Sequence, residues 1–467
     1  MPAAPVRRLA SLSLLAICCA VFMTVMDSLI VSVALESIQR ALGAGLSRLQ
    51  WVVDAYTLTY ASFLLAAGSL GDRLGYRRVF MAGLWVFTLA SIACGLAPGL
   101  DFLVAGLAVQ GLGAALLLPN ALSLLNHLYT DPATKAKAIG IWGCCSSAGA
   151  SAGPVVGGCL VGAFGWRGVF FVNVPFCALT YLVLRRSVPE CRVAGGPRPF
   201  DWLGQSLGVL GLASLTYALI EGRARGLGAA LPPLAILAAA GTMFLLRQRR
   251  GPAPMVPPGL VRVPAWINAN AVAFLVCFAY YGFIFMASLY FQSYRHFSPM
   301  LTGLCFLPMT LLQPFLHPFV GRWVARIGPR VPMILAQVVG FAGLAAASCM
   351  DAHTSRFWLG VIMMPIGLGS SLSIAPSLVS MLRATPPAYS GAAGGIFNTA
   401  RQTGALLGVA CLGALLGPGA AFLPGFHVAV LVGCALMAAG ALSTLAWAQR
   451  GSADVPGPGL DEDLAEA

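Results

Sequence analysis

Fourteen separate stretches of this chain are long enough and apolar enough to cross a lipid bilayer, and nothing else in the sequence constrains the fold as strongly. They run approximately over 10–35, 50–71, 79–98, 102–125, 138–164, 167–185, 203–221, 228–246, 267–291, 299–322, 331–350, 357–381, 391–416 and 425–447. A hydrocarbon core about 30 Å thick takes roughly 20 helical residues. A backbone immersed in it must satisfy its own polar groups, and a helix does so one span at a time. Only 9% of the 467 residues are charged and 58% are hydrophobic, whereas a soluble domain holds roughly 25% charged residues. The expected fold class is an all-α membrane protein with 14 transmembrane helices. The first run, preceded by Arg7 and Arg8, exceeds the length of a signal-peptide core and contains Asp27, so it is expected to stay as a span.

The net charge of +13 does not point to nucleic acid, because the basic residues sit in short loops between spans rather than in one stripe. With the N-terminus inside, twenty Lys and Arg fall on inner loops and seven on outer ones. That asymmetry places both termini in the cytoplasm and requires an even number of spans. The expected location is the cell (inner) membrane. Of the 13 cysteines most lie within spans, with no paired metal-ligand spacing, and read as small packing residues. His127, His296, His317, His353 and His427 are scattered. No nucleophile–base pair, metal cluster or P-loop is visible, so an enzyme, an ATP-driven pump, a cofactor and a bound metal are all unexpected.

The chain repeats itself. The loop after span 2, Gly68-Ser-Leu-Gly-Asp72-Arg73-Leu-Gly75-Tyr-Arg77, returns after span 10 as Gly321-Arg-Trp-Val-Ala325-Arg326-Ile-Gly328-Pro-Arg330. Gly111-Leu-Gly113 in span 4 likewise returns as Gly367-Leu-Gly369 in span 12. Two bundles of six helices follow, with spans 7 and 8 inserted between them. The expected domains are 1–186, an N-terminal six-helix bundle; 187–262, a linker with two additional transmembrane helices; 263–450, a C-terminal six-helix bundle; and 451–467, a disordered acidic cytoplasmic tail.

Four stretches carry a resemblance to a known family. They are Asp27-Ser-Leu-Ile-Val-Ser-Val-Ala-Leu35; Trp51-Val-Val-Asp54-Ala-Tyr56 running on to Gly68…Arg78; Gly149-Ala-Ser-Ala-Gly153-Pro154-Val-Val-Gly157-Gly158 followed by Trp166-Arg167…Asn173-Val-Pro175; and Asn398-Thr-Ala-Arg401-Gln402-Thr-Gly404. In this order, over nearly the whole chain, they resemble the major facilitator superfamily, specifically its fourteen-span drug:proton antiporter branch. The resemblance implies a secondary transporter that exports a hydrophobic or amphipathic small molecule, such as an antibiotic, in exchange for protons, and that functions as a monomer. Leu107 stands where the family's span 4 motif has an arginine, three residues before Gln110-Gly111. That arginine is associated with proton coupling, so an uncoupled or metabolite transporter of the same fold is the alternative; a membrane enzyme is the remote one. Glu36 also stands where relatives often have proline.

The residues fall into three candidate groups. Asp27 and Asp54 are acids inside spans, where ionisable groups are costly and mark function by default. With Arg401 and Gln402 they form the proton-coupling and substrate set. Ser47 and Gln50 read as a capping box opening span 2. Arg401 has no acid in its own bundle apart from Asp351 in an outer loop. It is expected to meet backbone, water, a substrate anion or an acid of the other bundle. Gly68, Asp72, Arg73, Gly75, Arg77 and Arg78 form an inner hairpin that the resemblance reads as a cytoplasmic gate. Gly149, Gly153, Pro154, Gly157 and Gly158 line one stretch of span 5, where small residues permit close helix contact and proline bends the helix. The aromatic crowd on span 9, Tyr280, Tyr281, Phe283, Phe285, Tyr290 and Phe291, reads as core packing before it reads as a stacking surface.

Overall fold

A computed structural model of the protein describes residues 4–129, 131–188, 190–191, 201–250, 255, 259–386 and 389–449. The acidic tail expected over 451–467 lies outside them, as do Arg192, Arg198 and Arg450 of the inner-side count. The described chain is helical throughout, in the order α1 (Ala4–Leu42), α2 (Leu46–Leu74), α3 (Tyr76–Gly95), α4 (Leu100–Leu128), α5 (Pro132–Phe164), α6 (Gly168–Phe171), α7 (Asn173–Ser187), α8 (Trp202–Arg225), α9 (Leu227–Arg250), α10 (Pro264–Leu289), α11 (Pro299–Thr310), α12 (Gln313–Ile327), α13 (Arg330–Ala347), α14 (Arg356–Arg383), α15 (Ser390–Ala414) and α16 (Phe422–Gln449).

Among the described residues, twelve stretches are long and apolar enough to cross a membrane. α2 and α15 are of similar length, 29 and 25 residues, but are more polar. α2 carries Gln50, Asp54, Ser62, Asp72 and Arg73, and α15 carries Asn398, Arg401 and Gln402. Two stretches expected as single helices are broken. The run over 167–185 divides at Val172, and that over 299–322 divides at Leu311–Leu312. Pro175 and Pro314 lie just past the breaks; each lacks the N–H that would have bonded back across it. The capping box expected at Ser47 and Gln50 is not formed. α2 starts two residues earlier, with Gly45 as its N-cap and no side-chain cap, and Gln50 is buried in the helix. Side-chain caps appear instead at Asp131, Asp201, Ser298 and Ser355.

The chain separates into two compact units, Met1–Arg198 with Ser288–Phe315, and Pro199–Ala287 with Leu316–Ala467. In the first, α1 lies along α5 and α7, α2 and α3 flank α4, and α11 packs on α5. Glycine makes two of these contacts backbone to backbone. A Cβ added at Gly149 would strike the Phe22 carbonyl, and one at Gly153 would come 2.9 Å from the Met26 carbonyl. On the other side of α5, a Cβ at Gly158 would come 2.6 Å from the Pro299 carbonyl, and one at Gly303 would strike the Pro154 carbonyl. Ser151 adds a hydrogen bond to the Thr310 carbonyl at 2.6 Å.

In the second unit, α8 and α9 form a hairpin whose ends are joined by Asp201 and Arg247 at 3.2 Å. Only 17% of the most apolar stretch of α9 is buried, against 83% for α10, so α9 leaves most of its apolar side chains exposed. α13 packs on α14 and α16, and Gly369 brings α14 onto the Gly340 backbone. A neutral polar knot ties α10 to α16 and α13: Asn268 donates to the Thr444 hydroxyl at 3.3 Å, and Gln337 reaches the same hydroxyl at 3.5 Å.

These contacts generate a direct test. Gly149→Ala forces α1 and α5 apart and is expected to cost about 1–3 kcal/mol by overpacking, seen as a lower midpoint of thermal unfolding in detergent. Gly143→Ala, on the same helix with open space at its Cβ, is the control. Equal midpoints for the two variants would show that glycine at 149 does not serve this packing.

Candidate functional site

Asp27, near the middle of α1, is 1% exposed. Its Oδ1 accepts from Asn173 Nδ2 of α7 at 2.5 Å and from Gln110 Nε2 of α4 at 3.1 Å. Both amide groups also donate to Ser91 Oγ of α3, at 3.0 Å and 3.3 Å. Ser91 in turn donates to the Phe170 carbonyl of α6 at 2.9 Å. Five helices thus meet around one carboxyl. Its other oxygen, Oδ2, is buried with no hydrogen-bond partner among the described residues.

Asp27 also borders a cavity of about 20 Å³, lined further by Ser28, Val31, Val52, Val53, Tyr56, Thr57 and Leu107. That volume holds about one water. Leu107 therefore lies beside Asp27 in the fold. The place where an arginine would stand is an apolar wall, and the carboxyl is held by neutral amides. Asp54, the residue after Val53 of the same wall, is 0% exposed and neither of its oxygens has a partner among the described residues.

The inner hairpin closes at Gly75, whose φ of +101° is a conformation that glycine adopts without strain. Its N–H bonds to the Gly71 carbonyl at 2.9 Å. The second copy of the motif makes the same turn within its own unit, with Gly328 at φ +79° and its N–H on the Val324 carbonyl at 3.0 Å. Asp72 Oδ1 accepts from the Tyr76 hydroxyl at 2.6 Å. A residue outside every motif, Glu190, fastens the hairpin: Oε1 accepts from the Arg77 N–H at 3.1 Å, and Oε2 lies 3.5 Å from Arg78. The Cys191 carbonyl accepts from the Tyr76 N–H at 3.0 Å, and Arg77 Nη2 donates to the Arg185 carbonyl at 3.0 Å. Gly68 faces open space.

In the second unit Arg401 donates to Asn398 Oδ1 at 3.2 Å and lies near the Cys277 thiol and Tyr281 of α10. Gly404 and Gly408 bring α15 onto the Phe274 and Phe278 carbonyls of α10, closer than a Cβ would permit. Gln402 is half-buried. The aromatic residues of span 9 are mostly core: Phe283, Phe285, Tyr290 and Phe291 are buried.

The structure thus gathers Asp27 with Gln110, Asn173 and Ser91, and gathers the hairpin residues with Glu190. The small residues of α5 form a seam to α1 and α11. Gln110 and Asn173 stand inside stretches that the sequence singles out, but their role emerges only from the fold. Ser91 and Glu190 carry no motif.

Comparison with known proteins agrees with this architecture. The family model described as Major Facilitator Superfamily matches residues 17–409. The multidrug resistance protein Stp of Mycobacterium tuberculosis (strain CDC 1551 / Oshkosh) is 37% identical over 409 residues, covering 87% of this chain and 75% of that protein. The methylenomycin A resistance protein of Streptomyces coelicolor (strain ATCC BAA-471 / A3(2) / M145) is 35% identical, covering 84% and 83%. Among solved structures, a bacterial homologue of the human lysosomal transporter Spinster superposes with a TM-score of 0.70 at 16% identity, covering 98% of this chain and all of that one. A POT family transporter bound to a thioalcohol-conjugated peptide gives a TM-score of 0.71 at 15% identity, covering 95% and 96%. Repeated hairpins, helices packed through glycine and a family match over most of the length place the chain in the Major Facilitator Superfamily.

Proposed function

We propose that this transporter exports a hydrophobic or amphipathic small molecule of the antibiotic or drug type in exchange for protons. The observation that carries the coupling is Asp27: a buried acid, gripped on one oxygen, beside a water-sized cavity. An acid kept in the membrane at such cost is suited to cycling a proton. The exported class follows from relatives whose names are multidrug and methylenomycin A resistance proteins. Asp54, Arg401 and Gln402 complete the proposed coupling and substrate set. The hairpin of Gly68, Asp72, Arg73, Gly75, Arg77 and Arg78 is the proposed cytoplasmic gate. Gly149, Gly153, Pro154, Gly157 and Gly158 are the proposed bending element.

α2 and α15 are read as spans beside the twelve more apolar stretches, giving fourteen. Each would carry its polar residues toward protein rather than lipid. Both termini are placed in the cytoplasm, the protein in the inner membrane, and the working unit is a monomer. The second reading, a transporter of the same fold not driven by protons, rests on Leu107, which removes the cation from the Asp27 site.

Asp27→Asn keeps the side chain's shape but cannot release a proton. In proteoliposomes it is expected to abolish drug export driven by a pH gradient while leaving downhill exchange. Gradient-driven export at the wild-type rate would make Asp27 structural and place the coupling elsewhere, whereas wild-type protein that ignores the pH gradient would support the uncoupled reading.

A reporter of sidedness inserted between Glu221 and Leu227 is expected on the outer face, and one after Arg450 on the inner face. A cytoplasmic signal from the first would remove the α8–α9 pair from the count of spans.

Glu190→Gln keeps one acceptor oxygen but loses the charge facing Arg78. It is expected to lower export several-fold and to speed labelling of a cysteine placed at Gly68. Wild-type export together with wild-type labelling would leave the hairpin as a topology signal alone.

A further inference from the structure

The hydrogen bonds around Asp27 run in one direction only. Ser91 spends its single proton on the Phe170 carbonyl, so its lone pairs must receive. They receive the NH2 groups of both Gln110 and Asn173. Those NH2 groups lie between Ser91 and Asp27 and donate to both. Turning either amide around would set its carbonyl oxygen against the Ser91 lone pairs and the carboxyl together. Asp27 Oδ1 is therefore met by two donors that are held in place from behind, and a proton on Oδ1 would face two N–H groups. Oδ2 has no such neighbour, and its side chain borders the cavity.

We propose that Gln110 and Asn173, oriented by Ser91, are positioning residues that fix the site of proton exchange at Oδ2 of Asp27. Oδ1 stays a hydrogen-bond acceptor in both states. The proton arrives on Oδ2 from a water in the cavity and returns to it, so charge balances as carboxylate plus proton gives acid. This deepens the coupling reading of Asp27 and rests on it. The device does the work of a cation at position 107 in part: two N–H groups stabilise the carboxylate without adding a positive charge. Around it, the Cys94 and Cys177 thiols lie within electrostatic reach of Asp27, and Tyr56 shares the cavity wall. The charged groups of the helices packed around α1 are Arg48, Asp54, Asp72 and Arg73 on α2, Asp101 on α4, Lys135 and Lys137 on α5, Arg167 before α6, and Arg185 and Arg186 on α7. Arg7, Arg8, Glu36 and Arg40 lie on α1 itself, and α11 has none.

Infrared difference spectroscopy of the purified protein in lipid, stepped from high to low pH, reads the atom directly. The band of protonated Asp27 is identified by its loss in Asp27→Asn. With the proton on Oδ2, the remaining C=O is Oδ1, which accepts two hydrogen bonds, so the band is expected at the low-frequency end for carboxylic acids. It is expected to move up in Asn173→Leu and Gln110→Leu. A wild-type band at the frequency of a free acid carbonyl, a band that neither variant moves, or no band lost in Asp27→Asn would overturn the assignment. The wild-type spectrum keeps the test decisive if a variant fails to fold. Transport supplies the separate readout. Losing one donor is expected to shift the pH profile of gradient-driven export about 1–2 units toward alkaline pH, the size of one hydrogen bond to a charged group. PH-dependent export that survives in Asp27→Asn would sink the coupling reading, while the infrared band would still decide which oxygen carries the proton.

Discussion

Two helices that touch through their backbones have lost the freedom to rotate or slide independently, and that is the condition α5 imposes on α1. Lipid tails are as apolar as leucine, so burying leucine between helices gains little in a membrane. Close contact made possible by small residues does the work instead. Gly149 and Gly153 bring α5 against the Phe22 and Met26 carbonyls, one turn before Asp27 and beside it. The acid is therefore set on a closely held stretch of its helix. The same α5 carries Gly158 toward Pro299 and receives Gly303 at Pro154, so α11 is registered against α1 through a common partner.

A carboxyl placed on such a rigid helix needs partners that are equally well held. Ser91, Gln110 and Asn173 come from three further helices, and the α3–α4 contact that aligns two of them is again made by glycine, Gly113 against the Phe87 backbone. Close packing and the polar cluster around Asp27 are thus one construction. The second unit shows the neutral version, in which Asn268, Thr444 and Gln337 tie three helices together with no ionisable group.

Much of this was legible from residues alone. Apolar run length fixes the helices, and the rarity of acids in spans marks Asp27 and Asp54. The repeated Gly-x-x-x-x-Arg-x-Gly pattern marks two hairpins, whose glycines share a positive φ. The partners of Asp27 were not legible, because they lie 83 and 146 residues away and nothing in a single sequence pairs them. Glu190 was hidden for a similar reason. It follows a span without any motif and meets Arg77 across 113 residues. The capping box at Ser47 failed because a local pattern competes with the geometry of entry: the chain turns at Gly43 and is already helical by Leu46. Pro175 and Pro314 were visible, but hydropathy averages over a break of one or two residues.

The apolar wall at Leu107 has a consequence for energetics. Where an arginine stands beside the acid, the pair is neutral when the acid is ionised and positive when it is protonated. With only amides as partners, the site is negative when empty of its proton and neutral when loaded. In the proton exchange proposed above, a carrier built this way would move its bare carboxylate, rather than a neutral pair, through the half-cycle that follows proton release. Membrane voltage then acts on that half-cycle, at about 2.3 kcal/mol for each elementary charge carried across 100 mV. Exchange of a neutral compound for one proton would draw on the electrical gradient as well as the chemical one, and a cationic compound would cancel that share.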